Sequence, residues 1–404
     1  MTSTTPAERL ARASAILRRQ PIIDGHNDLP WVAREVADYD LETLNLHDTA
    51  DLTHTDLRRL RAGHVGAQFW SVWVPTDLAD DGALVATLEQ IDFVHQMIAA
   101  YPDDFVLAVS AEDVERAHGD GRIACLIGAE GGHSIGNSLG ALRTLHMLGV
   151  RYLTLTHDRN VPWADSATDL PVAHGLTRFG REIVAEMNRI GMLVDLSHVS
   201  TETMNDALDV TEAPVIFSHS CCRALVDHPR NVPDDVLRRL RDNGGLLMVS
   251  FVPEFVSAEY HAWSVRLEDH LRHRGFSGGT RGSREECRQE FIRADPPPRT
   301  TLSQVADHLE HARGILGAEG IGIGGDYDGT PDFPDDLPDV SGYPALFAEL
   351  VRRGWTDAEC ELLAGGNVLR VMRAALPVAE RLGASRRPSR MRIHAATEVA
   401  PDVV

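Results

Sequence analysis

The chain has 404 residues, with 60 acidic residues against 39 arginines and no lysine, which gives a formal net charge of −21. This acidic balance argues against nucleic acid and anionic membrane surfaces as partners. The missing lysine excludes a P-loop lysine, a Schiff-base lysine and a carboxylated lysine between two metal ions.

The cysteine spacing and the N-terminus both bear on location. The five cysteines fit no zinc or disulfide pattern, which is typical of reduced thiols in a cytoplasmic protein. Residues 1–20 lack the apolar core of a signal peptide, and no run approaches the ~20 apolar residues of a membrane span. We therefore expect a cytoplasmic protein without a membrane partner.

Taken in chain order, a short helix over Pro6–Arg19 precedes an alternation of strand-like and helix-like segments. The predicted strands are 22–28, 65–74, 123–130, 152–157, 192–198, 214–219, 246–252 and 321–326. The predicted helices are 51–62, 82–100, 139–148, 175–190, one capped by Ser200 or Thr201, one opened by 232–235 and stopped by 244–245, one capped by Thr301 or Ser303 that runs to 316, and 343–352, 356–363 and 367–375. Such alternation predicts a parallel sheet, and eight units predict an α/β fold closed into a (β/α)8 TIM barrel.

An open, doubly wound sheet is the structural alternative. Polar residues follow nearly all of the predicted strands, rather than one point where the strand order reverses, and this favours the closed barrel. The segment 253–298 is too long for an ordinary loop, so we expect a lid or part of a dimer contact there. The sequence thus predicts one barrel domain over 1–375, with that insertion, and a partly mobile extension over 376–404.

Six polar side chains end predicted strands, where barrel enzymes carry their catalytic groups. They are His26, Asp28, Glu130, His198, His219 and Asp326. His26 and Asp28 lie two residues apart in an extended chain and so face the same way. The chain has nineteen histidines, so one histidine after a strand carries little weight, and the prediction depends on the joint pattern.

Histidine nitrogens and carboxylate oxygens suit zinc, and also manganese or cobalt. The five side chains other than Asp326 are too many ligands for one tetrahedral ion with an open position, so we expect two ions. His26 and Asp28 are assigned to one ion, and His198 and His219 to the other. In the absence of lysine, Glu130 is the expected bridge, together with a water or hydroxide that acts as the nucleophile.

Asp326 remains as the general acid–base of this predicted centre. A carboxylate beside the attacking water takes its proton and passes it to the leaving amine.

Several short motifs follow one another from the first to the last predicted strand. They are DGHND (24–28), GAEGG (128–132), LTH (155–157), VDLSH (194–198), FSHS (217–220), RNVPD (230–234) and IGGDYDG (323–329). In these motifs the chain resembles the membrane (renal-type) dipeptidases, a peptidase branch of the metal-dependent amidohydrolase superfamily. The resemblance implies a barrel enzyme with two zinc ions, usually a homodimer, that hydrolyses dipeptides, including L-D dipeptides.

The resemblance also implies two roles that spacing alone does not give. His157 matches the family histidine that polarises the scissile carbonyl and stabilises the oxyanion. Arg230 matches the residue that binds the terminal carboxylate of the substrate, and a guanidinium suits that task.

The chain departs from the animal members, which are secreted, disulfide-bonded and lipid-anchored, and it carries Arg159 where the family often has cysteine. It therefore looks like a bacterial, cytoplasmic relative. One alternative is another amidohydrolase reaction, such as hydrolysis of an N-acyl amino acid or a cyclic amide. A second alternative is a degenerate barrel that only binds metal or ligand, although the intact Asp326 and His157 argue against it.

Overall fold

The computed structural model describes residues 5–49, 52–78, 80–276 and 281–393. Within these residues the chain forms a parallel sheet of nine strands. The strands are β1 Ile22–Asn27, β2 Val65–Trp73, β3 Phe105–Leu107, β4 Ile123–Glu130, β5 Val150–Thr154, β6 Leu193–Asp195, β7 Ile216–Ser220, β8 Leu246–Val249 and β9 Ile321–Ile323. Nearly all of their residues are buried, as expected for strands covered on both faces.

Eight of these strands close into a ring. The order β2-β1-β9-β8-β7-β6-β5-β4 is completed by direct pairing of β2 with β4. The ninth strand, β3, pairs only with the start of β4, over Ile123–Cys125, whereas β5 pairs with β4 from Ile127 onward. The predicted (β/α)8 barrel is therefore confirmed, and β3 is an addition that the sequence pattern did not indicate.

Helices surround the ring. They are α1 Pro6–Arg19, α2 Leu29–Ala37, α3 Leu57–Ala62, α4 Asp80–Ala100, α5 Ala111–Gly119, α6 Leu139–Met147, α7 Arg178–Ile190, α8 Thr201–Val210, α9 Asp234–Asn243, α10 Pro253–Val256, α11 Ala258–His273, α12 Arg281–Ala294, α13 Leu302–Leu316, α14 Tyr343–Arg352, α15 Asp357–Glu361 and α16 Asn367–Ser385. Eight of them begin at a residue whose side chain accepts an N–H of the first turn; for example, Ser200 accepts the Thr203 N–H at the start of α8. Helices α2, α5, α10, α11 and α12 were not predicted.

Several predicted boundaries were wrong. The strands predicted over 192–198 and 321–326 are only three residues long, because the chain leaves the ladder soon after Asp195 and Ile323. The helix predicted over 51–62 begins at Leu57, and Asp51 lies outside the described residues. The last helix continues beyond 375 to Ser385.

Aromatic packing fills the barrel interior beneath the site. The rings of Phe69 from β2 and Tyr152 from β5 lie 5.1 Å apart, although β4 separates their strands in the ring. A Cβ atom at Gly128 of β4 would overlap the Tyr152 ring, so glycine is required there. The interior can therefore accommodate a tyrosine whose hydroxyl points toward the first strand.

The segment 253–298 forms α10, α11 and α12. Helices α11 and α12 share an apolar cluster of their own, apart from the barrel core; its buried members are Tyr260, Trp263, Leu267, Leu271 and Cys287. The segment is thus mostly helical, on the side of the barrel where the strands end.

The stretch Asp357–Ser385, which contains α15 and α16, is the one helical run in the described part of the chain that is long and apolar enough to cross a membrane. Half of its most apolar window is buried inside the fold. Beyond it, the Ser389 carbonyl accepts a hydrogen bond from Arg143 at 3.2 Å, so residues just after α16 lie against the barrel's outer helices.

All five cysteines are free and buried. Burial raises the pKa of the Cys125, Cys222 and Cys360 thiols to about 12, and it raises the pKa of Cys221 well above the usual value. These thiols are protonated at neutral pH.

Candidate metal centre and active site

The six predicted side chains meet at the carboxyl end of the barrel. His26 and His219 lie within strands, Glu130 is the last residue of β4, and Asp28 directly precedes α2. His198 and Asp326 lie three residues beyond β6 and β9, with left-handed φ values of 70° and 65°. Strained conformations of this kind cluster at functional sites, where the surrounding structure holds them.

Glu130 occupies the middle of the group. Its Oε2 lies 3.2 Å from His26 Nε2, and its Oε1 lies 2.9 Å from His198 Nε2 and 3.4 Å from His219 Nε2. The Nε2 atoms of His198 and His219 are 3.0 Å apart. Each carboxylate oxygen thus faces a different set of imidazoles, as a bridging carboxylate would.

These donors fit divalent ions. His26 Nε2 and Asp28 Oδ1 are buried and make no hydrogen bond, so both have free lone pairs. Three sets of side chains in the described residues bring ligand atoms within 4.8 Å of one another. They are His26 with Glu130 and His219, Glu130 with His157 and His198, and His26 with Asp28 and Asp326. Such nitrogen and oxygen donors are ordinary ligands of zinc and related metals.

Hydrogen bonds behind the site orient two of the histidines. The Tyr152 hydroxyl donates to the Gly25 carbonyl at 3.1 Å and lies 2.9 Å from His26 Nδ1. Because this hydroxyl proton is already used, we assign the proton on the ring to Nδ1. The Nε2 lone pair of His26 then faces Glu130, as metal ligation requires.

His219 has the same kind of support. The Ser218 hydroxyl lies 2.8 Å from His219 Nδ1 and donates to Asp195 Oδ2 at 2.6 Å. Asp195 is fully buried, and Thr154 donates to the same oxygen at 2.5 Å. Asp195 was not predicted as a functional residue, although it lies within the VDLSH motif, because its role depends on Ser218 from the next strand.

Asp326 lies at the edge of the centre, with Oδ1 3.9 Å from His26 Nε2. Burial raises the pKa of Asp326 well above its usual value; His26 opposes the shift, and the nearby Asp28 and Glu130 carboxylates add to it. A Cβ atom at Gly329 would collide with Asp28 and with Asp326, so glycine lets the loop after β9 close over both carboxylates.

His157 lies beside Glu130 Oε1, the oxygen that also faces His198 and His219. Its Nε2 lies 3.8 Å from Glu130 Oε1, and its ring stacks on the His198 ring with centroids 4.1 Å apart. Burial lowers the pKa of His157 to about 4, so the ring is neutral at pH 7. A neutral imidazole still offers one N–H donor to a carbonyl oxygen.

Arg230 lies in the wall of the same cavity, which has a volume of about 430 Å³. The residue is 4% exposed, and its Nη1 is buried without a hydrogen-bond partner. Its guanidinium lies 5.2 Å from the centre of the Phe255 ring. A buried cation with an unused donor is suited to a carboxylate ligand.

Comparison with known proteins agrees with this geometry. The sequence model of the membrane dipeptidases, peptidase family M19, matches residues 10–386. Dipeptidase 3 of Rattus norvegicus is 42% identical over 375 residues, covering 92% of this chain and 68% of that protein.

Solved structures share the fold. The probable dipeptidase PvdM from Pseudomonas aeruginosa superposes with a TM-score of 0.82 at 22% identity, covering 93% of this chain and all of that one. A metallopeptidase from Rhodobacter sphaeroides, liganded with a phosphinate mimic of L-Ala-D-Ala, gives a TM-score of 0.73 at 24% identity, covering 88% of this chain and 99% of that one. The chain therefore belongs to the membrane dipeptidase family and is a metal-dependent dipeptidase.

Proposed function

We propose that this metallodipeptidase binds two zinc ions and hydrolyses dipeptides with L-L or L-D residues. His26 and Asp28 would hold one ion, His198 and His219 the other, and Glu130 both. The observation that carries this assignment is the position of Glu130, whose two oxygens face different imidazole sets at 3.2 Å and 2.9 Å. When bound, two such ions supply Lewis acidity for the scissile carbonyl and lower the pKa of an attacking water.

The protein side chains divide the remaining work. Asp326 takes the proton of the attacking water and delivers it to the leaving amine. His157, neutral because of its burial, donates a hydrogen bond to the developing oxyanion. Arg230 pairs with the terminal carboxylate of the substrate, and this pairing fixes the distance between that charge and the reacting carbonyl.

The substrate class follows from this anchor. In a dipeptide the carboxylate lies one residue from the scissile bond, so the carboxylate can pair with Arg230 while the scissile carbonyl lies at the metal ions. The L-Ala-D-Ala mimic in the Rhodobacter sphaeroides relative supports acceptance of a D-residue at the C-terminal position.

The deciding experiment is a hydrolysis assay of the zinc-loaded protein against a mixed dipeptide library, with N-acyl amino acids and cyclic amides included. We expect dipeptides to be cleaved and the other two classes to be cleaved far more slowly. Faster cleavage of the N-acyl amino acids or cyclic amides would replace the proposal with another amidohydrolase reaction.

Oligomeric state and location are part of the same proposal. We expect a homodimer, which sedimentation equilibrium would measure, and a cytoplasmic protein, which cell fractionation would test. The free, buried cysteines support a reducing compartment.

A further inference from the structure

The helices of the 253–298 segment contact the wall of the active-site cavity at one place and the loop that carries Asp326 at another. Phe255 of α10 lines the cavity beneath the guanidinium of Arg230, and the Phe255 carbonyl accepts a hydrogen bond from Asn231 at 2.9 Å. The first contact point is therefore the proposed carboxylate anchor.

The second contact point is the loop that carries Asp326. The Tyr260 hydroxyl donates to Asp332 Oδ2 at 2.7 Å, and Arg288 Nη2 donates to the same oxygen at 3.2 Å. Asp332 lies two residues beyond Thr330, which lines the cavity, and six beyond Asp326. A tyrosine from α11 and an arginine from α12 thus share one carboxylate oxygen of this loop.

The two contact points are joined directly along the chain. Ser257 ends α10, and its hydroxyl caps α11 by accepting the Tyr260 N–H at 3.3 Å. Tyr260 is also part of the apolar cluster that packs α11 on α12, together with Trp263 and Cys287. Phe255 and Tyr260 therefore lie on consecutive helices that meet at Ser257.

The loop needs such support because it is strained. Asp326 and Asp328 both have left-handed φ values, of 65° and 68°, which a non-glycine residue adopts only at a cost. Asp328 is held by the His54 N–H at 2.6 Å, and Asp332 by Tyr260 and Arg288.

We propose that Tyr260, Arg288 and Asp332 are positioning residues, and that α10–α12 act as a brace that fixes Asp326 relative to Arg230. This inference rests on the proposed function, since it assigns the brace to the distance between carboxylate anchor and proton carrier. The preference for substrates of dipeptide length would then depend on the 253–298 segment as well as on the barrel.

Hydrogen–deuterium exchange tests the contact without reference to activity. In Tyr260→Phe and Asp332→Ala, loss of a hydrogen bond to a charged group should accelerate exchange of the amides between Asp326 and Phe333 about tenfold. The matched control is Arg284→Gln, which removes the 2.7 Å pair with Glu268 within the same two helices. Unchanged exchange at 326–333 in both variants would overturn the brace.

Kinetics of the zinc-loaded variants test whether the brace affects catalysis and substrate selectivity. We expect kcat for a dipeptide to fall about tenfold in Tyr260→Phe and Asp332→Ala with both metal ions retained, and the preference for dipeptides over dipeptide amides to narrow. The double variant should be no worse than Asp332→Ala alone, because the Tyr260 hydroxyl has already lost its acceptor in Asp332→Ala. Wild-type kcat and selectivity in both single variants would overturn the positioning role. A wild-type enzyme inactive on every dipeptide would instead overturn the proposed function, and the exchange experiment would still decide the contact.

Discussion

Glu130 Oε1 lies 2.9 Å from His198 Nε2, while the other oxygen of the same carboxylate faces His26. One side chain at the end of one strand therefore contacts ligands from opposite sides of the centre. Its loss should affect both metal positions, whereas loss of His198 should affect mainly one.

Glu130→Gln should lower the metal content from about two ions per chain to less than one, because the neutral amide offers only one oxygen and places an NH2 group toward the other imidazoles. Elemental analysis after zinc reconstitution measures this content. Glu186→Gln is the control, since Glu186 is a fully buried carboxylate paired with Arg143 and Arg189 far from the centre. Two ions in Glu130→Gln would contradict the bridging role.

Asp326→Asn should keep both ions and lose about 10²- to 10⁴-fold in kcat, because an amide cannot carry the proton to the leaving amine. Steady-state kinetics and elemental analysis on the same preparation separate the two effects. Loss of metal in this variant would make Asp326 a ligand, and its assignment as the proton carrier would be wrong.

Arg230 should make the enzyme reject dipeptide amides and tripeptides. A neutral group at this position leaves a buried guanidinium unpaired, which costs about 2–5 kcal/mol. We therefore expect kcat/KM for the amide to be about 30-fold lower or more, at about 1.4 kcal/mol per tenfold.

Arg230→Met should remove that discrimination while both metal ions remain bound. Arg223→Met is the matched control, because Arg223 lies in the same loop but bonds Thr201 and the Pro229 carbonyl instead. A wild-type enzyme that cleaves dipeptides and their amides equally well defeats the proposal.

Much of the fold and the candidate site could be predicted because strand ends carry a recognisable pattern of an apolar run followed by a candidate metal ligand. His26, Glu130 and His219 all follow it. His198 does not follow it in detail: Asp195 accepts the Ser197 N–H at 3.1 Å, and the chain then turns through a left-handed residue. Alternation along a strand placed His198 at the correct end of the barrel. The local backbone, however, is a left-handed turn and not the extended strand that was predicted.

Other features depend on contacts between distant segments. Tyr152 supports His26 across 126 residues of sequence, and Tyr260 reaches Asp332 across 72. No local periodicity encodes such pairs. Strand β3 was missed for a similar reason, since a three-residue strand is too short to show any alternation.

His308 should make stability depend on pH. Its Nδ1 accepts the Cys222 N–H at 3.1 Å, and its Nε2 donates to the Val256 carbonyl at 3.2 Å. Burial lowers the pKa of His308 to about 4; the Val256 bond and Asp307 oppose the shift, and His311 adds to it. The unfolded chain therefore binds this proton first as the pH falls below about 6.5.

Between pH 7 and pH 4 this difference should cost about 3 kcal/mol of the free energy of unfolding. Glutamine in His308→Gln keeps an acceptor and a donor but does not titrate. Between pH 7 and pH 4 the variant should therefore lose about 3 kcal/mol less of its free energy of unfolding than the wild type does. Urea unfolding of the metal-free proteins across the range measures both slopes. Equal slopes would show that the histidine is not responsible.

The burial of all five cysteines makes it practical to label the enzyme at one introduced cysteine and to measure the motion of a chosen helix. Buried thiols react slowly with maleimides, because the reagent cannot reach them. A cysteine introduced at an exposed position of α12, such as Arg293→Cys, would then be the main site of labelling on an otherwise unreactive chain. A fluorophore placed there would report the motion of α12 during turnover without removal of any native cysteine.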